Sequence, residues 1–389
     1  MKILMIGQLP KEAGGKGTTG VGNVVYELSK CANNDVEFVV YATNMKDNKS
    51  RKEGKCFYRG SRIRPLASLG HFVSNPLRAI KEYSYYRNKC GHGTVMRYEA
   101  FRDNIQRIIK EEKPDVIHCM SLVQMASTYF ANRKYGIPTI LTEHGCDPDP
   151  NTECGNTIHL PDVVTGLTPQ TMEDIAVHGI PKEKTVMVPN GTDTQKFYYS
   201  EEERIRLRKE LGVDDQATVM LTIGSLCHRK GQYTMLSKIK ELPSSFKYLY
   251  LIIGKGEDYD KIVAYINENQ LQDRVRVIGY VANNELYRYH SAADVYVHCS
   301  RSEGQALSEV EAYATDLKTV VNRDVATTIV TDINNKDDYL VFDFDTFDVN
   351  DFVSWASLHK KHRHTRSKYD WNEIFGMYVE VYKKLLKVV

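Results

Sequence analysis

Residues Ser300–Ala314 run SRSEGQALSEVEAYA, and the change of pattern inside them decides the architecture. The segment just before, DVYVHCS at 294–300, is apolar and β-branched, as a strand covered on both faces must be. From Leu307 to Ala314 the apolar positions recur at helical spacing. A strand that feeds a helix through a short polar connection is half of a βαβ unit. The first N–H groups of that helix have no intrahelical acceptor and carry the positive end of its macrodipole, so they can seat a phosphate without metal. Glu303 lies before the helix and Glu311 lies within it. A carboxylate accepts hydrogen bonds side by side and matches the vicinal hydroxyls of a hexose or a ribose. One phosphate seat flanked by two such acceptors suits a sugar–diphosphate–ribose ligand. Two solvated helix glutamates would show the same spacing.

The same alternation of strand and helix fills the chain and occurs twice. In the first half, strands are expected at 2–8, 36–42, 115–121, 138–144, 163–168 and 185–190, with helices near 21–31, 98–112 and 122–133. In the second, strands are expected at 217–225, 247–254, 275–280, 294–300 and 318–323, with helices near 232–240, 259–269, 285–291 and 307–314. Asn190-Gly191 is a turn signal after a strand, so the hinge follows VPNGTD. A length of 389 residues fits two cores, and two doubly wound sheets offer their ligand sites beyond the carboxyl ends of their strands, facing one shared cleft. Gly20, His118, His144, Ser225–Lys230, Gly254–Gly256 and Ser300–Leu307 all fall at such ends.

Bulk properties narrow the function. A formal net charge of +2 gives no polyelectrolyte character and argues against nucleic-acid binding. The opening MKILMIGQLP lacks a basic leader and a cleavage site and is expected to be a strand; no apolar stretch approaches a membrane span, so a soluble, cytoplasmic protein is expected. Eight cysteines without a Cys-x-x-Cys pair point to reduced thiols rather than a zinc ribbon or redox pair. Charge is unevenly spread: residues 46–110 hold sixteen Lys and Arg against five Asp and Glu, with aromatics interleaved in NPLRAIKEYSYYRNK. A solvated basic face explains this, and so does peripheral contact with anionic lipid at the inner face of the plasma membrane, or an acidic or lipid-diphosphate acceptor.

The 300–314 stretch resembles the E-x7-E element of family 4 retaining glycosyltransferases, and further motifs follow in the same order. Gly20 resembles the glycine before the first long helix, DVIH at 115–118 the third-strand motif, and TEHGCD the strand end carrying His144. VPNGTDTQKF is similar to V-P-N-G-x-D-x-x-x-F, TIGSLCHRKG to G-R-L-x-x-x-K-G, and LIIGKGE to I-x-G-x-G-P. VIGYVANNELYRYHSAADVYVHCS has the spacing of V-x-x-x-G-x-V running into A-D-V-x-x-x-P-S, and Trp371 and Tyr382 fit the closing helix.

The resemblance implies a GT-B fold: two Rossmann-like doubly wound domains, 1–195 and 196–371, with 372–389 crossing back to complete the first. It implies an enzyme moving a hexose or N-acetylhexosamine from a nucleotide donor, by expectation a UDP-sugar, to a glycan or lipid-linked saccharide in surface polysaccharide synthesis. No metal or other cofactor is expected. Glu303 would hold the transferred sugar, the amides of Ala306 and Leu307 the diphosphate, and Glu311 the ribose. Val281 would lie near the base, Lys230 would neutralise the departing diphosphate, and His144 would sit by the reacting carbon. The alternative is a degenerate GT-B protein that binds nucleotide or glycan as a scaffold; an epimerase on the same fold is disfavoured by the transferase motifs.

Several positions depart from the pattern. The G-R-L arginine is Ser225, which removes one phosphate cation unless Arg229 replaces it. The helix opens on Gln305, Ala306 and Ser308 instead of an aromatic, glycine and proline, and A-x-G-x-P becomes ATDLK at 314–318. His118 is equally well a core histidine, and His228 an ordinary loop residue. GKGE at 254–257 is not a full dinucleotide fingerprint. Asp147-Pro148-Asp149 and Asp343-Phe344-Asp345 mimic the metal-holding D-x-D of one-domain transferases, but loop and surface acids explain them.

Overall fold

A computed structural model describes residues 1–16, 20–62, 72–90, 95–145, 157–214, 216–328, 337–358 and 367–387. The chain divides into two compact units, Met1–Asn190 with Trp371–Val389, and Gly191–Asp370. The Asp147-Pro148-Asp149 triplet lies outside the described residues.

In the first unit the described strands are β1 Lys2–Gly7, β2 Glu37–Lys46, β3 Arg51–Glu53, β4 Cys56–Ser61, β5 Val116–Cys119, β6 Thr139–Glu143, β7 Val163–Gly166 and β8 Thr185–Met187. They form one sheet in the order β3-β4-β2-β1-β5-β6-β7-β8. Every pairing is parallel except β3 with β4. Helices α1 Gly20–Lys30, α2 Pro76–Cys90, α3 Val95–Glu112, α4 Leu122–Asn132 and α5 Pro169–Val177 connect them. Leu4, Ile6, Ile117 and Leu141 are fully buried, which is why these strands are continuous apolar runs.

The second unit holds β9 Thr218–Ile223, β10 Tyr248–Ile253, β11 Val275–Gly279, β12 Val295–His298, β13 Lys318–Asn322 and β14 Tyr339–Phe342, ordered β11-β10-β9-β12-β13-β14 and all parallel. Its helices are α6 Glu201–Glu210, α7 Gln232–Ile239, α8 Tyr259–Glu268, α9 Leu286–Ala292, α10 Leu307–Ala314 and α11 Val349–Ala356. Strand order reverses between β9 and β12. That is the switch point where connections leave in opposite directions and open a crevice for a ligand.

The final helix, α12 Trp371–Leu386, belongs to the first unit. Phe375 packs its ring 6.0 Å from Phe38 of β2, and the hydroxyls of Tyr378 and Tyr382 lie 3.0 Å from Thr142 Oγ1 and 2.9 Å from His118 Nδ1. His118 Nε2 meets the same Thr142 hydroxyl at 2.7 Å. His118 is therefore a fully buried core residue that ties α12 to β5 and β6. Burial, with the neighbouring His144 adding to it, pushes its imidazole down to about 3. An unfolded histidine charges near pH 6.5, so the unfolded chain takes up a proton that the folded core refuses. His118 accordingly contributes stability above about pH 6.5 that is lost as pH falls towards 3. Thermal melts at pH 7 and pH 4.5 are expected to show this acid slope, and His118→Gln to flatten it.

Two features of the basic segment differ from expectation. It contains the paired strands β3 and β4, which its lysines and arginines concealed. Much of its charge is also matched internally: Arg59 reaches Glu112 and Glu111 at 2.6 and 2.5 Å, while Arg78 and Arg102 both lie within salt-bridge distance of Glu82 and Glu99. Glu111 and Glu112 fall just beyond residue 110, so a window closed there overstates the surplus. No helix among the described residues is long and apolar enough to cross a membrane.

Candidate functional site

The loops after β9 and β12 flank the switch point of the second unit, and backbone contacts lock them together. Arg301 donates its N–H to Arg229 O at 2.8 Å, and the Arg229 guanidinium donates to Ser302 O at 2.6 Å. Gly231 closes the first loop with φ +72°, where a Cβ would stand 2.0 Å from Cys299 O. Only glycine allows both that conformation and that approach. Lys230, one residue earlier, is thereby aimed at the second loop: its Nζ lies 2.5 Å from Glu303 Oε1, and Arg229 Nη1 lies 3.0 Å from the same oxygen. Burial alone would raise the Glu303 carboxyl, but Lys230, His298 and Arg229 outweigh it and hold it below the usual carboxylate range. His298, at the end of β12, has its imidazole pushed down to about 4 by burial, against the pull of Glu303. Sequence reasoning passed over it, having nothing to set it apart from a strand residue.

Beyond Glu303 the chain enters α10 through Ala306, which is extended at φ −79°, ψ 124° and buried. Leu307 is the first helical residue, so its N–H and that of Ser308 point out of the helix start. Ser308, standing where the resembled pattern has proline, is used: Tyr296 of β12 donates its hydroxyl to Ser308 Oγ at 2.6 Å, and Ser308 donates to Ile223 O at 3.2 Å. This pins the helix start to the end of β9. At the helix's other end Glu311 Oε2 lies 3.5 Å from Nε2 of the fully buried His290, a neighbour that spacing could not reveal. Val281, two residues after β11, is partly buried against the apolar cluster that holds Leu221, Leu251 and Ile253.

The turn after α10 is built without glycine or proline by two substitutions. Asp316 adopts φ +61°, the left-handed conformation that short polar residues tolerate best after glycine. Lys318 starts β13 buried, with its ammonium donating to the carbonyls of Trp355 and Leu358 at the end of α11 and lying 4.1 Å from the Trp355 ring centroid. A cation at that helix terminus is favourable.

Other sequence candidates have structural explanations. At Gly254 a Cβ would lie 1.8 Å from Gly224 O, and at Gly256 2.1 Å from Leu226 O, so these glycines let the loops after β9 and β10 touch. Asp345 donates its N–H to Asp343 Oδ1 at 2.9 Å, making that triplet a turn.

In the first unit, Gly20 begins α1, and a Cβ there would meet nothing within 4 Å. The fold does not need that glycine for space. His144 follows β6; its Nε2 is buried without a hydrogen-bond partner, and burial pushes its imidazole down to about 4. Its neighbour Glu143 is pushed up to about 7 by burial, against N–H groups of Gly145 and His144 that favour the carboxylate.

Two family profiles match the chain: Glycosyltransferase Family 4 over residues 18–196 and Glycosyl transferases group 1 over residues 203–370. Alpha-monoglucosyldiacylglycerol synthase of Acholeplasma laidlawii is 27% identical over 142 residues, which is 36% of this chain and 36% of the relative. The chain thus spans little more than a third of that relative's length. An Escherichia coli UDP-Gal:alpha-D-GlcNAc-diphosphoundecaprenol alpha-1,3-galactosyltransferase is 24% identical over 275 residues, 65% of this chain and 67% of the relative. The crystal structure of Anabaena HepE in complex with UDP superposes with a TM-score of 0.72 at 15% identity, covering 99% of this chain and all of that one, and shows a shared fold. With both profiles matched in order and the GT-B fold matched throughout, the chain belongs to glycosyltransferase family 4.

Proposed function

We propose that the protein is a retaining glycosyltransferase that moves a hexose or N-acetylhexosamine from a nucleotide donor, UDP-linked, to a glycan or lipid-linked saccharide in surface polysaccharide or glycolipid synthesis. The observation that carries this is the convergence of Lys230 and Arg229 on Glu303, in the loop that leads into the N-terminus of α10. The amides of Ala306 and Leu307 at the start of α10 would seat the diphosphate, Glu311 would accept from the ribose, and Val281 would border the base. Glu303 would accept from hydroxyls of the transferred sugar.

The acceptor hydroxyl attacks the anomeric carbon on the face from which the nucleotide departs. The bond from that carbon to phosphate oxygen breaks as the bond to the acceptor oxygen forms, and the hydroxyl proton passes to the departing phosphate oxygen. Negative charge grows on the diphosphate, and fixed cations and N–H groups stabilise it without reorganising. This assigns to the chain's own cations the role a metal plays elsewhere, and it gives Arg229 the place left by Ser225. His144, at the end of β6, is assigned to the acceptor.

The UDP-dependent galactosyltransferase and the UDP-bound HepE support a UDP donor, and the galactosyltransferase and the Acholeplasma synthase both carry lipids in their names. A screen of UDP-, GDP- and ADP-sugars read by product mass tests the proposal; no turnover and no nucleotide binding with any of them overturns it.

Action at the cytoplasmic face of a membrane fits one further observation. Val73, Leu77 and Ile80, spaced to share one side of α2 and the turn before it, are exposed, Leu77 by 82%. Lys81 beside them is also exposed. Such a face suits the headgroup boundary of an anionic bilayer. Flotation with phosphatidylglycerol vesicles is expected to carry the protein and to fail for Leu77→Glu.

A further inference from the structure

We infer that Glu303 is the internal counter-ion of the two cations that meet the donor's diphosphate, so that the site discriminates against a nucleotide diphosphate that carries no sugar. The inference rests on the nucleotide-sugar assignment and deepens it.

Both cations are committed to a single carboxylate oxygen, Lys230 at 2.5 Å and Arg229 at 3.0 Å. Each is also tethered within its loop. The Arg229 guanidinium is also anchored on Ser302 O, and the Lys230 backbone is fixed by Gly231 against Cys299 and by Cys299 Sγ donating to Lys230 O at 3.3 Å. The carboxylate is only 9% exposed, so water replaces little of what it loses if the cations turn away. A diphosphate seated at α10 must therefore compete with Glu303 for the same positive charge, and at Lys230, which like Glu303 is mostly covered, that competition is poorly screened.

The sugar changes the balance. A hexose on the diphosphate brings hydroxyl donors to Glu303, whose Oε1 has ion-pair contacts but no hydrogen-bond donor of its own, and makes up for the cations it gives up. A bare nucleotide diphosphate brings none and places additional negative charge on its terminal phosphate, against a carboxylate. Glu303 thus favours the loaded donor before transfer. After transfer it reclaims Lys230 and Arg229 and promotes release of the nucleotide product. Removing its charge while keeping its shape should then tighten the product and blunt the preference for the sugar-bearing form.

Isothermal calorimetry on the full chain tests this with whichever of UDP, GDP and ADP the unaltered protein binds best, alongside the matching nucleotide-glucose. Glu303→Gln is expected to bind the nucleotide diphosphate about five- to tenfold tighter, the scale on which one partly desolvated charge acts. The nucleotide-glucose should gain less, so the ratio of the two dissociation constants shifts toward the bare nucleotide. The gain should shrink at 0.5 M salt. Lys230→Gln should weaken both ligands. Glu303→Ala replaces the glutamine variant if its melting temperature departs from that of the unaltered protein. Equal or weaker nucleotide binding by a folded Glu303 variant overturns the inference and leaves the nucleotide site standing. Absence of binding by the unaltered protein overturns the site assignment, and the inference falls with it.

Discussion

Lys230→Ala is expected to lower kcat/KM by about a thousandfold while leaving the protein folded. Loss of one fixed donor to a charge that develops in the transition state costs about 3–4 kcal/mol when the donor is held in place in advance. Lys230 meets that condition because Gly231 and the Cys299 contact fix its backbone and its side chain is mostly covered. Arg229→Ala should cost less, about tenfold, since its side chain is 52% exposed and solvent screens it. Lys230→Arg keeps the charge but spreads it over a planar fork, so it should recover only part of the rate. Initial rates of nucleotide release decide the matter. A Lys230→Ala enzyme within threefold of the unaltered one would remove the lysine from the chemistry.

Asp294→Ala is expected to destabilise the second unit by about 3 kcal/mol, the lower end of the range for breaking a partly buried charge cluster. Asp294 ends α9's connection to β12 and receives three donors: Arg204 Nη2 at 2.5 Å, Arg208 Nη1 at 3.1 Å and the N–H of Val219 at 2.7 Å. Arg208 is buried and reaches only carbonyls otherwise, Ala292, Asp214 and Ala217. Removing the carboxylate strands that charge and frees the start of β9. Asp294→Asn should keep the N–H contact and lose about half as much. Urea unfolding followed in the isolated substitutions would show it, and a midpoint unchanged by Asp294→Ala would refute the role. The aspartate of the A-D-V motif thus acts on the scaffold rather than on a ligand.

The parallel strands were legible because a strand covered on both faces must be an unbroken apolar run, as in Tyr248–Ile253 and Val295–His298. The connections carrying Lys230 and Glu303 followed from those strands. The apolar YLVF of β14 was passed over as well, but most of what escaped at the site and in the basic segment was structure whose signal is polar. β3 and β4 hid among lysines and arginines whose partners Glu111 and Glu112 are remote in sequence. Ser308, Asp316 and Lys318 looked like losses because proline and glycine were absent. Each fills the place by a different device: a hydroxyl pinned between β9 and β12, a left-handed aspartate, and an ammonium seated on helix carbonyls. Pairing of this kind depends on distance in space, which one sequence does not display. His118 was balanced between ligand and core on sequence grounds; its two hydrogen bonds to Tyr382 and Thr142 make it core.

Those bonds also bear on how the chain is made. The first unit depends on α12, whose Tyr378 and Tyr382 satisfy Thr142 and His118 in the middle of its sheet. A ribosome delivers β1–β8 before α12, with all of the second unit in between. The N-terminal sheet must therefore wait, incomplete and with its helix-binding face uncovered, while Gly191–Asp370 emerges and folds as an uninterrupted piece. Order of synthesis and order of completion are inverted, so a chain stopped before residue 371 would present a finished second unit attached to a first that holds its shape poorly, an obvious target for chaperones.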